Sequence, residues 1–271
     1  MTHDAQPRYT RPASLAELRA VAQPPEVRSR RNAEHWVASL YLRDVSPYLT
    51  MALLRTRISA NGVTGIMILT GWCVAGVLLI PGIWGAVLGL IFGQLQMLVD
   101  CSDGEVARWR KTSSPAGTFL DSVGHYSTET LIPIALAIRA AGYPFEAPDD
   151  YLWTTLGAGL AILIILNKAL NDMVRNARAA YGAPKLTYSE SESAPRPGLL
   201  QAARRIARFL PFHRLFHSVE LTMVIFVGAV LGLFIGSELA MRGTLVFLCV
   251  FGVITLFGHF VAIMTSSRLR A

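Results

Sequence analysis

The chain has 271 residues, of which 52% are hydrophobic and only 16% are charged, and its formal net charge is +7. An apolar composition of this kind, gathered into long runs, excludes an ordinary soluble domain and indicates a polytopic membrane protein. The three cysteines, Cys73, Cys101 and Cys249, are too far apart to form a disulfide framework or a metal-binding motif.

Two segments precede the first long apolar run. Residues 1–30 contain several prolines and scattered arginines without the apolar core of a signal peptide, which predicts a flexible basic cytoplasmic tail. Residues 31–60 mix Trp36, Leu40 and Leu53 with charged residues, a pattern typical of an amphipathic helix in the membrane interface. A soluble cap over the membrane helices is the alternative for this segment.

Six apolar segments follow, and each is near the ~20 residues that a helix needs to cross the hydrocarbon core. The sequence therefore predicts an all-α fold, with a six-helix transmembrane domain over residues 61–265. The third segment is the least apolar, as expected of a functional span that lines a cavity. The segments are roughly 62–81, 84–103, 120–141, 151–172, 217–236 and 244–264.

The lysines and arginines predict the orientation. With six spans both termini lie on one side, and 23 of the 25 basic residues share that side, Arg139 and Arg242 being the exceptions. By the positive-inside rule both termini face the cytoplasm, which predicts a multi-pass protein of the cell membrane. Topology and attraction to anionic lipid account for the positive charge, so no nucleic-acid partner is predicted.

The stretch 100–125 carries acidic residues at a predicted membrane surface. Asp100 and Asp103 are spaced i,i+3, and Asp121 and His125 are spaced i,i+4, so each pair lies on one helix face. Carboxylates in a membrane segment mark ion or substrate sites, and several together repel unless a cation lies among them. Oxygen ligands beside an open cavity suit Mg²⁺ or Mn²⁺ with substrate phosphates. The stretch therefore predicts a metal-assisted phosphate site.

This stretch resembles the signature of the CDP-alcohol phosphotransferases, D-x2-D-G-x2-A-R-x8-G-x3-D-x3-D. The final position departs, because His125 stands where the family has its fourth aspartate. The family uses that aspartate to bind metal and to take a proton from the acceptor alcohol. The matching residues, with every interval preserved, are Asp100, Asp103, Gly104, Ala107, Arg108, Gly117 and Asp121.

The resemblance implies a membrane enzyme that transfers a substituted phosphate group from a CDP-linked alcohol, most often CDP-diacylglycerol, to a hydroxyl acceptor with release of CMP. Such an enzyme would serve phospholipid or related phosphodiester synthesis. It further implies that Mg²⁺ or Mn²⁺ is held by Asp100, Asp103 and Asp121, and that His125 is the base. The donor nucleotide would then be bound by Gly104, Ala107, Arg108 and Gly117.

Asn61 and Thr64 are further candidates for the donor site, because the family often carries Asn-x-x-Thr near the nucleotide. Asn61 is also a suitable helix N-cap, and that structural role is the alternative.

Basic residues near the cytoplasmic ends of the fourth and fifth segments are candidates for acceptor binding, namely Lys168, Arg175, Arg214 and His217. Family members use this region for the acceptor, and a basic pocket predicts a polar, anionic alcohol such as a phosphorylated one. Membrane anchoring of these side chains is the alternative.

Two other functions remain open, a catalytically impaired relative that binds CDP-lipid, suggested by His125, and an ion-coupled transporter, suggested by the intramembrane carboxylates. The family resemblance also predicts a homodimer, as do glycines spaced by four. Gly228, Gly232 and Gly236 are expected to pack within the bundle or between protomers.

Overall fold

The computed structural model describes residues 11–28, 38–144, 151–183 and 215–269. The described residues are almost entirely helical and contain no strand, which confirms the all-α prediction. A π-helical segment, Ala38–Leu42, precedes the third helix, and a short 3-10 helix, Ser267–Leu269, follows the last. The helices are α1 (Leu15–Ala22), α2 (Pro25–Arg28), α3 (Arg43–Leu53), α4 (Ala60–Leu78), α5 (Gly82–Arg110), α6 (Pro115–Ala140), α7 (Leu152–Ala180), α8 (Ser218–Ile235) and α9 (Ser237–Thr265).

Five of the described helices, α4, α5, α7, α8 and α9, are long and apolar enough to cross a membrane. The remaining predicted span corresponds to α6, which is 26 residues long but is interrupted by Asp121, His125 and Glu129. The structure is compatible with the six-span topology, which stays a prediction.

Helix α1 lies in the segment for which the sequence analysis predicts a flexible tail. Ser14 accepts a hydrogen bond from the backbone N–H of Glu17, and the Glu17 carboxylate accepts one from the backbone N–H of Ala13. This reciprocal arrangement is close to a capping box, which stabilises the first turn of a helix. Leu18 and Ala22 of α1 are fully buried. The S-x-x-E pattern at Ser14 is the sequence signal that identifies this helix.

The chain forms two compact units, and helices α4, α5 and α6 contribute residues to both. Unit 1 consists of Met1–Val74 and Leu88–Thr128. Its apolar core joins Leu18 and Ala22 of α1 to residues of α4 and α5. Trp109 of α5 is the largest of its fully buried side chains. Residues before the first predicted span are therefore part of this core.

Unit 2 consists of Ala75–Val87 and Glu129–Ala271, and close helix contacts at glycine are its main feature. A Cβ built on Gly228 of α8 would lie 2.2 Å from Thr244 Oγ1 of α9, and one on Gly232 would lie 3.3 Å from Ala240 Cβ. These glycines pack inside the chain, as expected for one of the two predicted arrangements. Gly236 has a φ of +97°, which glycine adopts without strain, at the connection between α8 and α9.

Gly157 of α7 is expected to be intolerant of a side chain. A Cβ there would lie 2.1 Å from Ala137 Cβ of α6, whereas Gly159 has open space. Gly157→Ala should lower the free energy of unfolding by about 1–3 kcal/mol, as overpacking does. The measurement is the thermal unfolding midpoint in detergent micelles, with Gly159→Ala as the matched control. Adding Ala137→Gly should restore part of the loss, and equal midpoints for the two glycine variants would contradict the packing described.

Candidate active site

Three predicted site residues of unit 1 converge on one point. Asp100 lies on α5, and Asp121 and His125 lie one turn apart on α6. His125 Nε2 is 3.0 Å from Asp100 Oδ1 and 3.4 Å from Asp121 Oδ1. One ligand atom from each residue lies within 4.8 Å of the other two. The i,i+4 spacing places Asp121 and His125 on one face of α6, and the α5–α6 connection brings that face against Asp100 of α5.

Asp103 lies one turn beyond Asp100 on α5, and its Oδ2 accepts a hydrogen bond of 2.8 Å from Thr64 Oγ1 of α4. Asp103 is also close enough to Asp100 and Asp121 for its charge to interact with theirs. The three aspartates therefore interact electrostatically, and the Thr64 hydroxyl donates a hydrogen bond to one of them. Thr64 is thus at the predicted site, in contact with a carboxylate.

The small residues of the signature lie beside polar side chains. A Cβ on Gly104 would be 3.0 Å from a terminal nitrogen of Arg108, so the guanidinium lies over that glycine. A Cβ on Gly117 would be 3.1 Å from Asn61 Oδ1. Ala107 packs at the edge of the unit 1 core. Small side chains at positions 104 and 117 therefore leave room beside a guanidinium and an amide.

The alternative role of Asn61 as an N-cap is wrong. Helix α4 begins at Ala60, and Ser59 Oγ accepts a hydrogen bond of 3.1 Å from the backbone N–H of Gly62. Ser59 therefore occupies the capping position, and Asn61 lies in the first turn with an exposed side chain.

The donor set fits a divalent cation. Two carboxylates and an imidazole, with one ligand atom each within 4.8 Å of the others, could supply oxygen and nitrogen ligands to Mg²⁺ or Mn²⁺. An imidazole nitrogen favours Mn²⁺ more than an all-oxygen set does. A cation would also relieve the mutual repulsion of the carboxylates.

In unit 2, two predicted acceptor residues meet at a glutamate that the sequence analysis does not single out. Glu129 of α6 has a side chain only 3% exposed. Its Oε2 accepts a hydrogen bond of 2.7 Å from Lys168 Nζ, and its Oε1 lies 3.2 Å from His217 Nδ1. Glu129 could have been identified from the sequence, because it is an acidic residue in an apolar segment, which is the feature that identified the aspartates.

The other two predicted acceptor residues are not part of this cluster as described. Arg175 is 59% exposed and forms an ion pair with Asp172, one turn earlier on α7. Arg214 lies outside the described residues.

Comparison with known families agrees with the motif. The family model of CDP-alcohol phosphatidyltransferases matches residues 57–235, more than half of the chain. The chain belongs to this family, whose members are membrane-embedded CDP-alcohol phosphotransferases that generally depend on a divalent metal. No curated protein sequence matches the chain at a significant level.

Metal affinity is expected to depend on Asp100 directly and on Thr64 indirectly. Thr64→Val removes the donor to Asp103 and should weaken Mn²⁺ binding about 10- to 100-fold, as the loss of an outer partner of a ligand does. Asp100→Asn should weaken it more. Titration calorimetry with Mn²⁺ measures both, and Asp172→Asn, which changes a carboxylate in unit 2, is the control. Equal affinities in wild type and Asp100→Asn would remove Asp100 from the metal site.

Proposed function

We propose that the chain transfers a substituted phosphate group from a CDP-linked alcohol to a hydroxyl acceptor and releases CMP. The donor proposed is CDP-diacylglycerol, and the product would belong to phospholipid or related phosphodiester synthesis. The observation that carries this proposal is the grouping of Asp100, Asp121 and His125 within one ion's reach, on the helices that bear the family signature.

The proposed reaction is a displacement at phosphorus. The acceptor oxygen forms a bond to the phosphorus that carries the donor alcohol, and the bond from that phosphorus to the bridging oxygen of the diphosphate breaks. CMP leaves with the bridging oxygen and its electron pair, and the acceptor hydroxyl loses its proton to His125. A divalent ion, when bound, neutralises negative charge on the diphosphate and on the leaving phosphate.

Asp100, Asp103 and Asp121 are proposed to hold the ion. Thr64 supports this role because its hydroxyl fixes the Asp103 carboxylate. Gly104 and Gly117 would let the nucleotide approach the backbone closely, with Ala107 adding little bulk beside them. Arg108 would bind a phosphate oxygen, and Asn61, exposed beside Gly117, would bind the nucleotide.

His125 is proposed to act as the base for the acceptor hydroxyl. A neutral imidazole accepts a proton near working pH. The 3.0 Å and 3.4 Å contacts of Nε2 with Asp100 and Asp121 also favour a second role, in which His125 ligates the ion. In either role His125 takes the place of the family's fourth aspartate. Loss of the imidazole would lower kcat if His125 is the base, and would raise the metal requirement if His125 ligates the ion.

The acceptor is proposed to be an anionic alcohol bound by Lys168, Arg175, Arg214 and His217. Glu129 supports the proposal because it holds the Lys168 ammonium and the His217 imidazole close together, so that one anionic group can contact both. Helix α7 would extend the basic surface through Arg175. We also propose that the chain is a homodimer of the cell membrane, with the site facing the cytoplasm.

The function is tested by CMP release. Purified chain in lipid nanodiscs, given labelled CDP-diacylglycerol, Mg²⁺ or Mn²⁺ and a panel of anionic and neutral alcohols, should release CMP and form one lipid product. Asp100→Asn, Asp103→Asn and Asp121→Asn should each abolish release, as should EDTA. Normal release in EDTA would contradict the metal mechanism. Metal-dependent CDP binding without CMP release for any acceptor would favour the impaired relative.

His125→Ala is expected to lower kcat by about 10²- to 10⁴-fold at saturating metal, the range for a lost general base. His125→Asp should keep substantial activity because it restores the family's carboxylate. Wild-type kcat in His125→Ala would refute the base role. A raised metal requirement with an unchanged kcat at saturating metal would assign His125 to the ion instead.

Arg175→Ala and Arg214→Ala are each expected to raise KM for the acceptor far more than KM for the donor. A guanidinium that binds only the acceptor's anionic group should leave donor binding unchanged when it is removed. The control is Arg178→Ala, because Arg178 Nη1 donates to the backbone carbonyl of Arg268. An unchanged acceptor KM in both variants would leave the two arginines as membrane anchors.

A further inference from the structure

Helix α5 carries a fully buried carboxylate, that of Glu105, close in sequence to Asp100 and Asp103. Glu105 is 0% exposed, as is Ser102, and Trp109 is 1% exposed. These residues are spaced i, i+3 and i+7, so they form one buried face of α5. Asp100 and Asp103 lie on a different face, which is only partly buried. Helix α5, which bears the signature, is therefore buried on one face and partly accessible on the other.

Three donors from the N-terminal part of unit 1 satisfy the Glu105 carboxylate. Its Oε1 accepts hydrogen bonds from Gln23 Nε2 at 2.7 Å and from Ser46 Oγ at 2.5 Å. Its Oε2 accepts one from Thr50 Oγ1 at 2.6 Å. Gln23 follows α1, and the two hydroxyls are on α3. Hydrogen bonds to a carboxylate are strong, and these three join α5 to the residue after α1 and to α3.

The same N-terminal segment contacts the signature arginine. Arg108 Nε donates to the backbone carbonyl of Ala22, the last residue of α1 and the neighbour of Gln23. This bond turns the terminal guanidinium nitrogens over Gly104, 3.0 Å and 3.4 Å from the position of a Cβ there. Glu105 fixes Gln23, and Ala22 directly before it orients Arg108.

We infer that Glu105 is a positioning residue of the donor site, acting on Arg108 through α1 and α3. The inference rests on the proposed function, because it takes the diphosphate of the donor as the ligand of Arg108. Residues 15–53, which contain α1 and α3, lie outside the family match of 57–235. The donor site of this chain is thus completed by a segment outside the matched family domain.

A purely structural role for Glu105 gives a different expectation. If the carboxylate only stabilised unit 1, its loss would lower the unfolding midpoint and would weaken CDP binding independently of Arg108. If it positions Arg108, Glu105→Gln should not weaken CDP binding further in a chain that already lacks the Arg108 guanidinium. A double-mutant cycle measures this difference, because independent sites add and coupled sites do not.

The experiment measures CDP binding by titration calorimetry, with full-length chain in nanodiscs at saturating Mg²⁺. Glu105→Gln places an amide N–H₂ where Oε2 accepts from Thr50, and it should raise the Kd for CDP about tenfold, like Arg108→Ala, which loses a charge-assisted bond. The double variant should match Arg108→Ala alone. Glu17→Gln is the control. The exposed Glu17 side chain accepts a hydrogen bond from the backbone N–H of Ala13, and an amide oxygen can accept the same bond.

An unchanged Kd in folded Glu105→Gln would overturn the inference, and so would effects of Glu105→Gln and Arg108→Ala that multiply in the double variant. If Glu105→Gln does not fold, Thr50→Val and Gln23→Ala replace it in the same cycle, with smaller increases in Kd expected and the same non-additivity required. An Arg108→Ala chain that binds CDP normally also overturns it. The proposed function is judged separately, by CMP release from wild type.

Discussion

The mutual repulsion of carboxylates in a largely apolar chain is the constraint on which unit 1 depends. Asp100, Asp103 and Asp121 interact electrostatically, and His125 lies between two of them. Charges at membrane depth are unfavourable unless they are paired or bind ions. The Thr64 hydroxyl offsets part of this cost, and a divalent cation would offset much more. A cation held there would also attract the diphosphate of the proposed donor.

Helix α5 is held firmly in place and also keeps two carboxylates partly accessible, because these two roles fall on different faces. The face with Ser102, Glu105 and Trp109 is buried and hydrogen-bonded, and it holds the helix in place. The face with Asp100 and Asp103 keeps its carboxylates partly accessible. Rigid support on one face allows like charges to remain close on the other, and this preorganisation is what electrostatic catalysis requires.

The sequence predicts the local part of this site well, because the spacings of Asp100–Asp103 and Asp121–His125 follow directly from helix periodicity. Contacts across the chain were harder. The family resemblance made Thr64 a candidate for the nucleotide but did not predict its bond to Asp103, and the Glu105 network joins residues up to 82 positions apart. No single-sequence pattern specifies such pairs. The α1 helix was readable from Ser14 and Glu17, but the surrounding prolines favoured a tail.

The central claim is that Asp100, Asp103 and Asp121 hold the ion that binds the donor diphosphate. Pulsed EPR of Mn²⁺ on the purified chain, with and without CDP, tests this directly. The account predicts that a ³¹P hyperfine coupling appears when CDP is added and disappears in Asp100→Asn. Mn²⁺ that binds to the chain but shows no ³¹P coupling with CDP bound, or a coupling unchanged in Asp100→Asn, would contradict it.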